Sequence, residues 1–443
     1  MDSDAQRKQE ALWRQLARRR AVLKGGLATA AAAALPWSGR SASAAPSEPL
    51  AFIGWQYNPQ IVAENVEIFK KLYDENVNYE LVPGEYHAIA ETKLIAGQHV
   101  DMMYSEEDRL VRWNTAGWTR DIEGLPGVDE IKAKMYAINV KNISLPDGKL
   151  GGLPYYTGFN SFVANQKHLD AAKIEPPATW GEMLDQARKL KKDKASEYPY
   201  IAAWGRQWAS LSWELFSMWY SEGAKVFDAN SDLVVDKPFR DVLELHRTIY
   251  EEQLIPQDVF THLGESVPNF ATGQHTYMVV HEYDQKVFNT PATSQIAGAC
   301  RNAIMPGATR STFIWTALYQ MGAQADEERG WNLMQFFGGK AKDGKYHVAT
   351  RWALEFGLGT PHKEVIESPE VQEAFSKWKD LKVATKQLET ATTRDIAKIV
   401  WFPEWDWYMM GEAQDYIRGQ QSLDQLVDKL QAKAVELKKM YPT

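Results

Sequence analysis

The stretch from Leu150 to Leu190 constrains this chain more than any other part of it. Gly151-Gly152 and Pro154 end a turn, and Phe159 to Ala164 is a short, mostly apolar run with aromatic and β-branched side chains. That pattern predicts a buried strand. Asn165 to Ala172 reads as a short helix, and Pro176-Pro177 forbids its continuation because proline has no N–H to donate. Thr179 then stands three residues before Glu182, a capping-box pattern that launches a helix over Trp180 to Lys191. Strand, helix, proline break and helix follow one another here, and the strand carries the chain into a core.

At 443 residues the chain exceeds the size at which one core keeps growing, so two compact units are expected. The first 44 residues stand apart from both. Arg18-Arg19-Arg20-Ala21-Val22-Leu23-Lys24 precedes a modest apolar stretch, Gly25 to Trp37, and then the small-residue cleavage pattern Ala42-Ser43-Ala44. Arg19-Arg20 with Val22-Leu23-Lys24 fits the twin-arginine export pattern, with cleavage near Ala44 and a periplasmic destination. This segment has a net charge of +5, so the whole chain's −8 becomes −13 once it is set aside. An acidic mature chain argues against nucleic acid or an anionic membrane as partner. No later apolar run has the roughly 20 residues needed to span a bilayer. Cys300 is the single cysteine, which excludes an intrachain disulfide and leaves no cysteine at the cleavage site to carry a lipid.

From Leu50 the pattern alternates. Leu50 to Trp55 predicts a strand, Pro59 opens a helix with Ile61, Val62, Val66, Phe69 and Leu72 on one face, and Asn78 to Val82 predicts the next strand. Tyr86 to Ala96 then reads as a helix and Val100 to Tyr104 as a strand. Such alternation implies a parallel sheet covered by helices, with ligands beyond the carboxyl ends of its strands. That rule selects Trp55, Tyr57, Glu85, Tyr86, Ser105, Asp108 and Arg109 as one binding wall.

Gly152, Pro154, Tyr155, Asn165, Pro177, Thr179, Trp180 and Glu182 together resemble the segment by which family 1 extracellular solute-binding proteins of ABC importers pass from one lobe to the other. Lys173 stands where the family has glycine, a departure confined to a loop. Further passages resemble the same family: Asp101 with Tyr104-Ser105, Phe270 to Val280, Ile304 to Phe337, and Tyr416 to Leu437. The resemblance runs from about Leu50 to about Lys439. It implies an α/β, two-lobed periplasmic binding protein fold of type II, each lobe a mainly parallel sheet flanked by helices, joined by a multi-strand hinge. Residues 45–157 and 287–358 would form lobe 1, and residues 158–286 and 359–443 lobe 2, with a third crossing near Trp352 to Pro361. It further implies a monomeric receptor that captures a carbohydrate or polyol and passes it to ABC permease subunits, without a cofactor.

Recognition of such a guest needs planar polar side chains for hydroxyl pairs and flat rings for sugar faces. Beyond the first wall, the candidates are Tyr156, Asn160, Trp204, Arg206, Trp208, Tyr283, Asp284, Trp315, Trp352 and Trp405, the last in the aromatic run Trp401 to Tyr408. For Trp55, Trp204, Trp315 and Trp405 a ligand role and a packing role both stand open. Of Tyr155 and Tyr156, one is expected to pack and the other to face the cleft. A secreted glycoside hydrolase is the alternative, with Glu404 and Asp406 or Glu282 and Asp284 as its carboxyl pair, although two residues of separation in sequence fixes no distance across a glycosidic bond. Nine scattered histidines lack zinc spacing. Paired tyrosines leave a ferric-ion receptor as a third reading.

Overall fold

Two hydrophobic cores share one strand. In the computed structural model, which describes residues 48–441 other than Leu263, the strands are β1 (Leu50–Trp55), β2 (Val77–Val82), β3 (Met102–Ser105), β4 (Thr119–Arg120), β5 (Leu153–Asn165), β6 (Tyr277–His281), β7 (Cys300–Ala303), β8 (Phe313–Gly322) and β9 (Thr392–Thr393). β5 has 13 residues, about 40 Å of extended chain, enough to run through two packed units. Its first half pairs antiparallel with β8, from Leu153 opposite Tyr319 to Phe159 opposite Ile314. Its second half pairs with β6 and β7. Leu153 and Tyr155 belong to one core, and Phe159 and Phe162 to the other. The expected strand over 159–164 is therefore longer than its apolar run, because the pairing begins before it and shifts register between Pro154 and Tyr156.

The first unit realises the expected alternation. β2, β1 and β3 are parallel, and the helices Pro59–Tyr73 and Tyr86–Ile95 connect them. β8 runs antiparallel beside β3, from Met102 opposite Met321 to Ser105 opposite Leu318. Phe52, Met102, Met103 and Tyr319 are fully enclosed there. Parallel pairing is weaker in the second unit. β6 and β7 return beside β5 and are antiparallel to it, and Tyr200 contributes only an isolated parallel bridge to Tyr277. The helices Trp180–Lys192, Ser210–Glu222, Lys237–Glu251, Phe402–Ile417 and Leu423–Met440 fill out this unit. Thr179 caps the first of them by accepting from the Glu182 N–H at 3.1 Å. The Glu182 carboxylate reaches back to the N–H of Ala178 rather than to that of Thr179.

Residues 287–315, expected in lobe 1, pack with the second unit. Met305, Phe313 and Trp315 lie in its core, and Ala317 is the first β8 residue to enter the other core. The chain thus returns to the first unit along β8. It leaves again after Leu358, where the Thr157 N–H donates to the Gly359 carbonyl at 3.1 Å. β9 then pairs with Phe313 and Ile314 of β8. β5, β8 and the segment after Leu358 are the connections between the units. Residues 1–44, on which the expectation of export and cleavage rests, lie outside the described residues.

Candidate functional site

The carboxyl ends of β1 and β3 bring Trp55, Tyr57 and the turn Ser105 to Arg109 onto one wall, where the helix Glu107–Thr115 begins. Trp55 packs edge-on against Tyr86 at 5.5 Å and Tyr155 at 5.6 Å between ring centroids. Tyr57 stacks on Trp352 at 5.8 Å. From the strands that link the units, the Tyr156 ring stands perpendicular to Tyr155 at 5.0 Å and to Tyr283 at 6.0 Å. Tyr283 in turn stacks on His281. Trp55, Tyr57, Tyr156 and Tyr283 are half-buried, so each keeps ring surface beside side chains that have none.

Carboxyl groups lie among these rings. Burial pushes Glu106 up to about 8, helped by the neighbouring Asp108 and Glu107, and pushes Asp284 up to about 8, helped by Glu282. Glu282 and Glu107 are raised to about 7 and Asp406 to about 6, again chiefly by burial. Arg394 opposes the rise at Glu107 and Asp406. A protonated carboxyl group donates one hydrogen bond and accepts others, which suits a pair of hydroxyls on a guest. Glu106 and Asp284 are half-buried, whereas Glu107 and Glu282 are enclosed.

An ion pair joins the units behind this wall. Arg394, which follows β9, lies 3.5 Å from Glu107. Glu107 also accepts from the Thr316 N–H of β8 at 3.0 Å. The Arg394 guanidinium sits 5.0–5.3 Å from the ring centroids of Trp213, Phe216, Phe313 and Phe402. Arg112 pairs with Glu91 in its own unit and with Glu404 across the boundary, both at 3.1 Å.

Several expected ligand residues prove to be packing residues. Trp204 is fully buried and donates to Glu214 at 3.0 Å. Trp405 is fully buried and donates to the Leu430 carbonyl at 3.2 Å. The aromatic run that carries Trp405 is the start of the helix Phe402–Ile417, with Pro403 in its first turn. Trp315 and Trp352 are enclosed and support the rings of His281 and Tyr57. Tyr86 is buried, with its hydroxyl on the Tyr104 carbonyl at 2.8 Å. Ser105 is buried, and Asn160 is held by Trp213, Ser217 and His281.

The rest of the expected set keeps some surface. Glu85 is half-buried, and burial raises its carboxyl above the ordinary range. Asp108 and Arg109 pair with each other at 2.6 Å. Arg206 stands apart from the tyrosines, over the Trp407 ring at 4.2 Å and bonded to the Trp407 carbonyl. The side chain of Trp208 lies outside the described residues. Glu106, Arg394 and Trp407 escaped the sequence reading as site residues, and Glu282 entered it only as half of a hydrolase's carboxyl pair. Glu106 and Glu282 adjoin chosen positions, whereas nothing in the pattern around Arg394 marks it.

Among the described residues no group of three His, Cys, Asp or Glu side chains is arranged to hold a metal ion. Tyr155 is enclosed, so it and Tyr156 do not present two hydroxyls to a shared metal. No described helix is long and apolar enough to cross a membrane.

Residues 56–300 match the family model for bacterial extracellular solute-binding proteins. A maltose-bound MalE3 of T. maritima superposes with a TM-score of 0.76 at 16% identity, covering 89% of this chain and 100% of that one. An ABC transporter solute-binding protein of Agrobacterium radiobacter K84 in complex with ribitol gives 0.74 at 15%, covering 89% and 98%. One of Agrobacterium vitis S4 with bound D-mannitol gives 0.72 at 17%, covering 90% and 100%. At these identities the likeness is one of fold.

Proposed function

The chain belongs to the bacterial extracellular solute-binding protein family, and from that premise we propose that it captures a carbohydrate or polyol between its two units and delivers it to an ABC-type inner-membrane importer. The observation that supports this most is the meeting of half-buried Tyr57, Tyr156 and Tyr283 with Glu106 and Asp284 at the linking strands. Rings serve the apolar faces of a sugar, and carboxyl groups serve its hydroxyls. Structural neighbours captured with maltose, ribitol and mannitol fit the same chemistry.

In this reading the lobes comprise residues 48–157 with 316–358, and 158–315 with 359–441. They close as bodies about β5 and β8. A guest that touches both walls favours the closed form by its differential affinity, and that closed form is what the permease engages. The protein works as a monomer in the periplasm after twin-arginine export and cleavage near Ala44.

A hydrolase reading gains little from the site. Glycoside cleavage uses one ionised and one protonated carboxyl group, whereas burial pushes both Glu282 and Asp284 up, to about 7 and about 8. A thermal-shift screen against neutral sugars, polyols and sugar acids tests the proposal. One compound should raise the unfolding temperature and be recovered chemically unchanged. Its breakdown would instead establish an enzyme.

A further inference from the structure

The charged groups around the tyrosines do not cancel. Arg109 is committed to Asp108 at 2.6 Å and lies 3.7 Å from Glu91. Arg394 is committed to Glu107. Arg206 is spent on the Trp407 ring and carbonyl, Arg310 bonds the Met305 carbonyl, and Arg301 is exposed on β7. Glu106 and Asp284, by contrast, make no side-chain hydrogen bond or ion pair within the described residues. Arg109 and Arg394 act on Glu106 only from beyond ion-pair distance, and the charge acting on Asp284 is another carboxylate, Glu282. The cation acting most on Glu282 is Lys379. Without a cation beside them, burial makes Glu106 and Asp284 hold their protons, and a cation seated there takes the protons' place and pairs with the carboxylates.

Both acids belong to the tyrosine group. Glu106 follows Ser105, which lies opposite Leu318 of β8 while Tyr156 lies opposite the adjoining Ala317, and Asp284 adjoins Tyr283, whose ring is 6.0 Å from Tyr156; Glu106 acts on Tyr156 and Asp284 on Tyr57 and Tyr283. Beside them the Tyr155 side chain is almost wholly buried, and its hydroxyl has no partner among the described residues. Its ring lies 5.0 Å from Tyr156 and backs that residue. Rings that face a cation attract it through their electron-rich faces, and nearby carboxylates add direct attraction.

We infer that the guest carries a cationic nitrogen, seated among Tyr57, Tyr156 and Tyr283 between Glu106 and Asp284, and that it is an aminated sugar or polyol rather than a neutral or acidic one. This rests on the carbohydrate reading given above, and the test separates the two. Calorimetric titration of the purified protein at neutral pH uses glucose, galactose and mannose, their 2-amino-2-deoxy counterparts, their uronic acids, and choline as a cation without a sugar. An amino sugar should bind at least about tenfold more tightly than its neutral parent, in keeping with a desolvated cation among rings, and the matching uronic acid more weakly than that parent. Asp284→Asn and Glu106→Gln, each shown to be folded by its unfolding transition, should each cut that preference severalfold. Neutral sugars that bind as well as their amino counterparts, or a preference unchanged in both variants, would overturn the inference and leave the carbohydrate reading standing. Choline binding with no sugar bound would support the charge and remove the carbohydrate. Binding of none of these compounds would overturn both.

Discussion

Burial separates two aromatic residues from one candidate list: Tyr156 keeps ring surface at the linking strands, whereas Trp405 lies in the core. Trp405 is fully enclosed and bonded to Leu430, so Trp405→Ala should destabilise the protein by about 3–5 kcal/mol in chemical denaturation. Tyr156→Ala should instead weaken guest binding by about tenfold or more, as for loss of an aromatic anchor, with a smaller loss of stability. A reversed ranking would move the site away from the linking strands.

The buried acids also set a pH trend. Glu106 and Asp284 at about 8, and Glu107 and Glu282 at about 7, bind protons more tightly folded than unfolded. Their stabilisation is complete below the ordinary carboxylate range and is lost as pH rises through the folded values. His87, His281 and His362, held neutral down to about 4 by burial, give the opposite trend below about 6.5. The unfolding temperature of the guest-free protein should therefore fall as pH rises from about 6.5 to about 8, and Asp284→Asn should flatten that fall. Residue roles were the least legible part of the sequence. Neighbouring residues such as Trp405 and Trp407 have the same chemistry, and only burial separates them. Arg394 acquires its role from a partner far away in the chain.

Elements were more legible, because caps and periodicity are local. Thr179 with Glu182, and the helix with Ile61, Val66 and Phe69 inward, form where the pattern places them. β8 carries no strand signature in the sequence, because all ten of its residues are buried and the pattern shows no alternation. The aromatic density of Trp401 to Tyr408 masked a helical spacing in which Phe402, Trp405 and Met409 face inward. The Glu107–Arg394 contact ties the helix Glu107–Thr115 to the segment after β9. Arg394→Met leaves the Glu107 carboxyl enclosed without its cation. It should cost about 3–5 kcal/mol by denaturation, and adding Glu107→Gln should restore much of the loss. Purely additive costs would show that the contact carries no coupling.

On the scale of the whole molecule, two cores joined by β5, β8 and the segment after Leu358 permit rotation of one unit against the other, while the continuous strands limit it. The two-lobed plan was legible from length and from the crossover stretch. The return point was not, because residues 287–315 contain no break that separates the lobes. Gly158 lies at the changeover on β5, where an added Cβ would come within 2.8 Å of the Trp315 ring and 2.9 Å of Glu282. Gly158→Val should hinder closure and weaken guest binding more than it lowers the unfolding temperature. The most direct test of capture by closure is small-angle scattering of the purified protein with and without the compound that stabilises it most. The account predicts a smaller radius of gyration on binding, with the compound recovered intact. An unchanged radius at saturation, or a degraded compound, would contradict it.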